Sequence, residues 1–331
     1  MRPISSVLVA ALMVFGVACA STPRSSTSAQ LFLAGDSELW VVDTHTGRVR
    51  HLAVVPELSP GDPPYRILRR GDRLVLWGGA TYVRNPDLRA PATSLADDAG
   101  FFIPSPHDDR VWLGIFDPLS NAVVAAMREV TVSGKVTVRD VKPPGGHWPD
   151  GAVSDGLLFS LGQGRVEVWD PVSRNILRRL PIADPGPSFG NLVASCGFQC
   201  RTLRLTDAHT GDSKAVELPS SYASFGAWSG AFSPDGSLYA VPVTSNRSFA
   251  HPELGQDLAI VDVGRAAVRV VESSRVRPGY NLVAWSSSGD TVFFTGGERF
   301  KKRVVLSYRI GEPRASVLYQ GFGDFYGIAA T

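Results

Sequence analysis

The chain has 331 residues, of which 44% are hydrophobic, 9% aromatic and 19% charged, enough apolar surface for a real core, which excludes general disorder. At this size a folded chain hides roughly 75% of the surface its unfolded form exposes, so one large all-β domain or two smaller domains both fit. Its 33 basic and 31 acidic residues leave a formal charge of +2, too balanced for a partner held through phosphate contacts, and no nucleic-acid partner is expected.

The N-terminus places Arg2 ahead of an apolar run from Val7 to Ala18, after which Cys19 opens a polar, Ser/Thr-rich stretch to Gln30. The run is about twelve residues long against the ~20 needed to cross a bilayer core, which fits the apolar region of an export signal better than a membrane span. Gly16-Val17-Ala18-Cys19 resembles a bacterial lipobox, although a lipobox usually carries leucine where this chain has Gly16. That resemblance implies a diacylglyceryl group on Cys19. Ala18-Cys19-Ala20 also satisfies the small-x-small rule of ordinary cleavage, so simple secretion stays open, as does an uncleaved anchor. On this reading residues 1–18 are a signal peptide, 19–30 a lipidated tether and 31–331 the folded domain. The protein is expected to be exported and held by its lipid on the outer surface of the cell membrane, or secreted.

From Leu31 onward short alternating runs are punctuated by Gly, Pro, Asp and Asn, with no helical period, which is an all-β signal. An apolar run ending in aspartate recurs at Asp43, Asp170, Asp207 and Asp262, twice as Asp-x-His-Thr-Gly with Gly47 and Gly211. The carboxylate can accept backbone N–H bonds two residues on while the glycine takes a positive φ, which closes a tight hairpin. A second phrase, Phe232-Ser-Pro-Asp-Gly236, is echoed at Trp285-Ser-Ser-Ser-Gly-Asp290. Together these two turns resemble the repeat of bacterial WD-repeat-like, TolB-type and related quinoprotein-like β-propellers. The resemblance covers Leu31 to Thr331 and implies architecture rather than activity. Third strands are expected to end near Asp43, Asn85, Ser133, Asp170, Asp207, Asp262 and Arg309, close to the roughly 40–50 residues that a blade takes, which gives seven blades. Six remain open, because Phe116-Asp117-Pro118 offers a competing turn. Leu31 starts a second strand with no first strand before it, and Phe325–Ala329 is left over at the other end. Pairing them would close the ring and remove an open edge.

Cys196 and Cys200 enclose three residues between apolar runs. In an exported protein a disulfide hairpin staple is expected, stabilising by only about 2 kcal/mol because the loop is so short. Free thiols are the alternative; C-x-x-C redox spacing is absent, and neither a metal nor a cofactor is expected.

In a propeller the loops between blades and those joining second to third strands share one face, called here the loop face; the tight turns occupy the other, the turn face. The loop-face candidates for contacting a ligand or partner are Tyr65, His147, Trp148, Phe189, Tyr222, Phe225, Arg247, His251, Arg275, Arg277, Tyr280, Phe322 and Tyr326. An aromatic and cationic rim suits sugars, anions or peptides, while the plainer alternative is aromatics that plug the space between blades. His45 and His209 share one turn position and His107 lies in another tight turn. No catalytic residue can be assigned: the G-x-S-x-G elbow, the phosphate loop and the dinucleotide glycine motif are absent from the sequence. The expected function is that of a noncatalytic, monomeric envelope lipoprotein binding a protein, peptide or glycan partner; the alternative is a secreted propeller hydrolase or lactonase acting at the central channel. Mass spectrometry of the native N-terminus tests the address: a diacylglyceryl-modified Cys19 is expected, and a chain beginning at Ser21 or an unmodified cysteine would overturn it.

Overall fold

The computed structural model describes residues 29–52, 54–58, 66–117, 119–160, 164–197, 200–277, 281–297, 302–323 and 325–331. They form seven antiparallel sheets arranged as a seven-bladed β-propeller; six have four strands and one has five because its innermost strand is split, and the strands run in sequence order from the centre outward except in the first blade, whose innermost strand is the last of the chain. The third strands are Leu39–Asp43, Thr81–Arg84, Ser120–Thr131, Val166–Asp170, Thr202–Asp207, Asp257–Asp262 and Lys302–Arg309, so the seven-blade count holds and the six-blade alternative does not. Phe116 and Asp117 end the second strand of blade 3, Arg110–Asp117, inside one long hairpin. The competing turn is thus an excursion within a blade, not a boundary between two.

Strand order explains the sequence pattern. Second and third strands are covered on both faces by neighbouring blades, so Leu39–Val42 is apolar and buried throughout, as strands in doubly covered sheets are. Outermost strands meet solvent, and Val49–Leu52 and Asn175–Leu180 are accordingly mixed and mostly exposed. The described apolar residues fall into seven clusters, one for each interface between neighbouring blades. The propeller therefore has no single centre of packing. Its core is a ring of seven equal parts.

The tight turns carry the chemistry that their sequence suggests. Asp43 Oδ1 accepts from His45 N at 3.0 Å and Thr46 N at 2.7 Å, and Gly47 takes φ 69°. Asp207 repeats this with His209 N at 2.7 Å and Thr210 N at 3.1 Å. In the inner turn Ser233 Oγ donates to Asp235 Oδ1 at 2.6 Å, and this bond leads those that lower the Asp235 pKa.

The ring closes at blade 1. Gly327–Ala330 pairs with Gln30–Ala34, Leu31 opposite Ala330 and Ala34 opposite Gly327, while Tyr326 N donates to Ala34 O at 2.8 Å. Phe325 is fully buried, edge-on to Trp40 at 4.9 Å between ring centres. Arg303, the largest fully buried side chain, lies 5.8 Å over the Phe325 ring and donates to Phe325 O at 3.4 Å. Next along the chain, the Arg66 guanidinium lies 4.6 Å from the centre of the Tyr326 ring and pairs with Asp36 at 2.7 Å. Removing Asp324–Thr331 is expected to destabilise the whole ring, since each large apolar side chain lost is worth about 1.5–3 kcal/mol. The truncated protein should melt about 10 °C lower or more, and a melt within about two degrees of the full chain would show that this strand does not hold the ring.

Candidate functional site

Blade 6 departs most from the repeat and gathers several of the candidate residues. Its first strand is split into Tyr222–Phe225 and Ala231–Phe232 by a turn over Ala227–Ser229 that leaves Trp228 61% exposed. Its second and third strands, Leu238–Ser245 and Asp257–Asp262, are joined across the loop face by the helix Asn246–Ala250. Ser245 caps that helix by accepting from Ser248 N at 3.0 Å, and Asn246 Nδ2 ties it to Ser220 O at 2.8 Å, the usual use of serine at a helix start. Arg247 and His251 are exposed on this loop, His251 lies 3.4 Å from Glu253, and Phe249 is 46% exposed.

Beneath the loop lies a polar network. Arg275 holds the buried Asp257 carboxylate with two bonds, Nε at 3.0 Å and Nη2 at 2.6 Å, and Tyr222 Oη donates to the same carboxylate at 3.3 Å. The bond to Asp257 raises the Arg275 pKa, and burial followed by the Asp257 charge raises that of Tyr222, so at neutral pH Arg275 keeps its charge and Tyr222 its proton. Gln256 donates to Thr244 Oγ1 at 3.0 Å and accepts from Asn281 Nδ2, and its backbone bridges Val276. The exposed Arg277 follows directly. Tyr222, Arg247, His251, Arg275 and Arg277 thus share one sector.

The remaining candidates lie elsewhere. Trp148 stacks on Phe101 at 4.6 Å and touches Phe116 at 4.9 Å, closing the gap between blades 3 and 4 while keeping 38% of its surface exposed. His147 beside it is exposed, on a turn where Gly145 and Gly146 both take positive φ. Tyr326 sits with Arg66 at the closure. Phe225 is 5% exposed in the packing between blades 5 and 6, a plug rather than a rim. Phe189, expected on the loop face, instead ends the first strand of blade 5, Pro185–Phe189, at its turn-face end, 6.2 Å from Phe232. An innermost strand pairs on one side only and so accepts prolines that a central strand would not. Tyr65, Tyr280 and Cys19 lie outside the described residues, as does the side chain of Phe322. Among the exposed apolar residues that the sequence did not single out are Phe249, and Leu119, 95% exposed at the tip of the blade 3 hairpin. The competing turn at Phe116-Asp117-Pro118 was the available signal for the second.

Blades 4 and 5 place two carboxylates at the loop-face mouth of the central channel, Asp150 before Gly151–Val153 and Asp184 before Pro185–Phe189. Asp150 touches solvent at the face, yet atoms crowd its carboxylate; this desolvation, opposed by the 2.5 Å bond from Ser160 N and reinforced by Asp184, pushes its pKa up to about 6. Nearby, Cys196 and Cys200 form a disulfide with Cα atoms 5.7 Å apart, and Cys200 O accepts from Phe225 N at 3.0 Å, so the staple also grips the next blade. Among the described residues no group of three His, Cys, Asp or Glu is placed to hold a metal ion, and no helix is long and apolar enough to cross a membrane.

No protein-family model matches the chain, and no curated protein matches it. Many solved structures share its shape. A candidate 6-phosphogluconolactonase from Bacteroides fragilis is 11% identical with a TM-score of 0.57, over 93% of this chain and 99% of that one. AztD from Citrobacter koseri is 14% identical with a TM-score of 0.51, over 92% and 98%. TolB from Acinetobacter baumannii is 15% identical with a TM-score of 0.49, over 91% and 81%. At such identities the likeness is one of fold alone, and that fold is the β-propeller.

Between pH 4 and pH 6 the folded protein retains on Asp150 a proton that the unfolded chain has released, so this group makes stability fall as the pH rises through that window. Asp150→Asn removes the effect. In urea unfolding the variant is expected to exceed the parent in stability at pH 7.5 and to match it near pH 4, and an equal difference at both values would show that the raised pKa is absent.

Proposed function

We propose that the protein is an exported, lipid-tethered binding propeller that takes an acidic segment of a protein or peptide partner on the blade 6 sector of its loop face. The observation that carries this reading is the convergence there of Arg247, Arg275 and Arg277 with the exposed Phe249, over a buried network that fixes Arg275 in place. Arginine and aromatic side chains are the residues that dominate binding surfaces, and cationic groups at a rim steer acidic partners. The signal-like N-terminus, the lipobox-like Cys19 and the disulfide support the exported address. A glycan is the other partner class that such a rim suits.

A photo-crosslinking residue placed at Phe249 in living cells tests this, with Val172, an exposed position at a turn-face hairpin, as the control. One defined protein adduct is expected from Phe249 alone, falling about 10-fold or more when Arg247 and Arg277 are both changed to Glu. No adduct, an adduct equally strong at Val172, or one indifferent to the charge reversal would overturn the reading, and an adduct that carries sugar in place of peptide would move the partner to the glycan class. The hydrolase or lactonase alternative draws on one observation, the raised pKa of Asp150 beside Asp184 at the channel mouth, and it requires turnover of an ester or lactone that Asp150→Asn abolishes.

A further inference from the structure

The turn face carries a basic cleft that the repeat does not require. In blade 1 Gln30 pairs with Asp43 and Val41 with Arg50, while Asp43 N donates to Arg48 O. With a side-chain period of two, Arg48 and Arg50 therefore stand on the same side of the sheet as Gln30 and Val41, the side that faces blade 2. The opposite wall is the turn after Thr81–Arg84, which contributes Asp87 and Arg89. Between the walls lies a cleft of about 370 Å³.

Three guanidinium groups from two blades line this cleft against two carboxylates, and both carboxylates have turn duties. Asp43 Oδ1 caps its own turn, and Asp87 Oδ1 accepts from Arg89 N at 3.0 Å. Several arginines elsewhere in the fold are held by a carboxylate: Arg66 with Asp36, Arg128 with Asp140 and Arg275 with Asp257 are ion pairs at 2.6–2.7 Å. Arg48, Arg50 and Arg89 make no such pair among the described residues, and all three are exposed. The ligand chemistry that this arrangement selects is a phosphate ester, which accepts from several arginine forks at once.

The path of the chain selects the source of that phosphate. Ala29 O accepts from Thr44 N at 3.0 Å and from Thr44 Oγ1 at 2.9 Å, so the chain enters the fold against the Asp43 turn, and the next residue, Gln30, lines the cleft. Nine residues lie between Cys19 and Ala29, a length of chain that spans at most about 35 Å. A lipid on Cys19 would tether the fold from the side of this cleft, because the chain meets the fold there. We infer that the cleft seats the headgroup of an anionic phospholipid and sets the turn face on the membrane, with the loop face pointing away from it. The orientation rests on the lipidation of Cys19; the headgroup site rests on the arginines.

Calorimetric titration of the purified full chain separates the possibilities, using dihexanoylphosphatidylglycerol below its micelle-forming concentration, dihexanoylphosphatidylcholine and inorganic phosphate. The anionic lipid is expected to bind, about 10-fold or more weaker in a variant carrying Arg48→Gln, Arg50→Gln and Arg89→Gln, and more tightly in Asp87→Asn. The choline lipid and free phosphate are expected to bind far less. Unchanged binding in the triple variant, equal binding of the choline lipid, or phosphate binding as tight as the anionic lipid would overturn the assignment. Binding to a dispersed lipid does not need the anchor: an unlipidated Cys19 removes the orientation alone, and loss of headgroup binding in a lipidated protein removes the site alone.

Discussion

Everything in this ring depends on one junction, where a strand from the end of the chain lies beside a strand from its beginning. A propeller of separate blades has no central core to fall back on, because each apolar cluster belongs to one pair of neighbours. An open ring would leave Gln30–Ala34 with one unpaired edge and would unseat Phe325, Ala329 and Ala330 from the packing against blades 7 and 2. The protein secures this junction with two arginines. Arg303 supports Phe325 from within, and Arg66 covers Tyr326 while tied to Asp36. Burying a guanidinium is costly unless its hydrogens find partners, and Arg303 reaches the carbonyl of the closing segment through Nη1 while its guanidinium lies over the Phe325 ring.

The same division of labour separates the two faces. Tight turns spend their aspartates on their own backbone, which makes the turn face regular. The loop face is freed from that duty and varies from blade to blade. Blade 3 extends its second and third strands into a hairpin tipped by Leu119, and blade 6 inserts a capped helix. Irregularity marks where the sequence serves something other than the fold, and blade 6 concentrates it: a split innermost strand, an inserted helix and a bidentate arginine on a buried carboxylate within one sector.

The blade count and its closure were legible because both rest on local chemistry. A carboxylate that caps its own turn and an apolar run that needs two covered faces leave their marks in consecutive residues. The pairing of Leu31 with the tail followed from counting strands and finding one missing at each end. What escaped the sequence depends on neighbours distant in the chain. Pro185-Gly-Pro has the composition of a loop, yet an innermost strand needs hydrogen bonds on one side only. Arg303 follows Lys301 and Lys302 in a basic run of the sequence and gives no sign there that it is wholly buried. The crowding at Asp150 comes from atoms on other strands, and the sector formed by Tyr222, Asp257 and Arg275 joins residues that no spacing rule connects.

The order in which the chain emerges gives the closing strand a further consequence. Among the strands of the ring Gly327–Ala330 is the last to be made, and it completes the first sheet, so six blades can assemble while blade 1 still shows its inner edge. Contacts between residues near 30 and residues near 330 are the most distant in sequence that the fold contains, and such contacts form late because the whole intervening loop must close first. The ring cannot close until this strand is made, and a chain ended before it is left with an unpaired edge that marks it as unfinished.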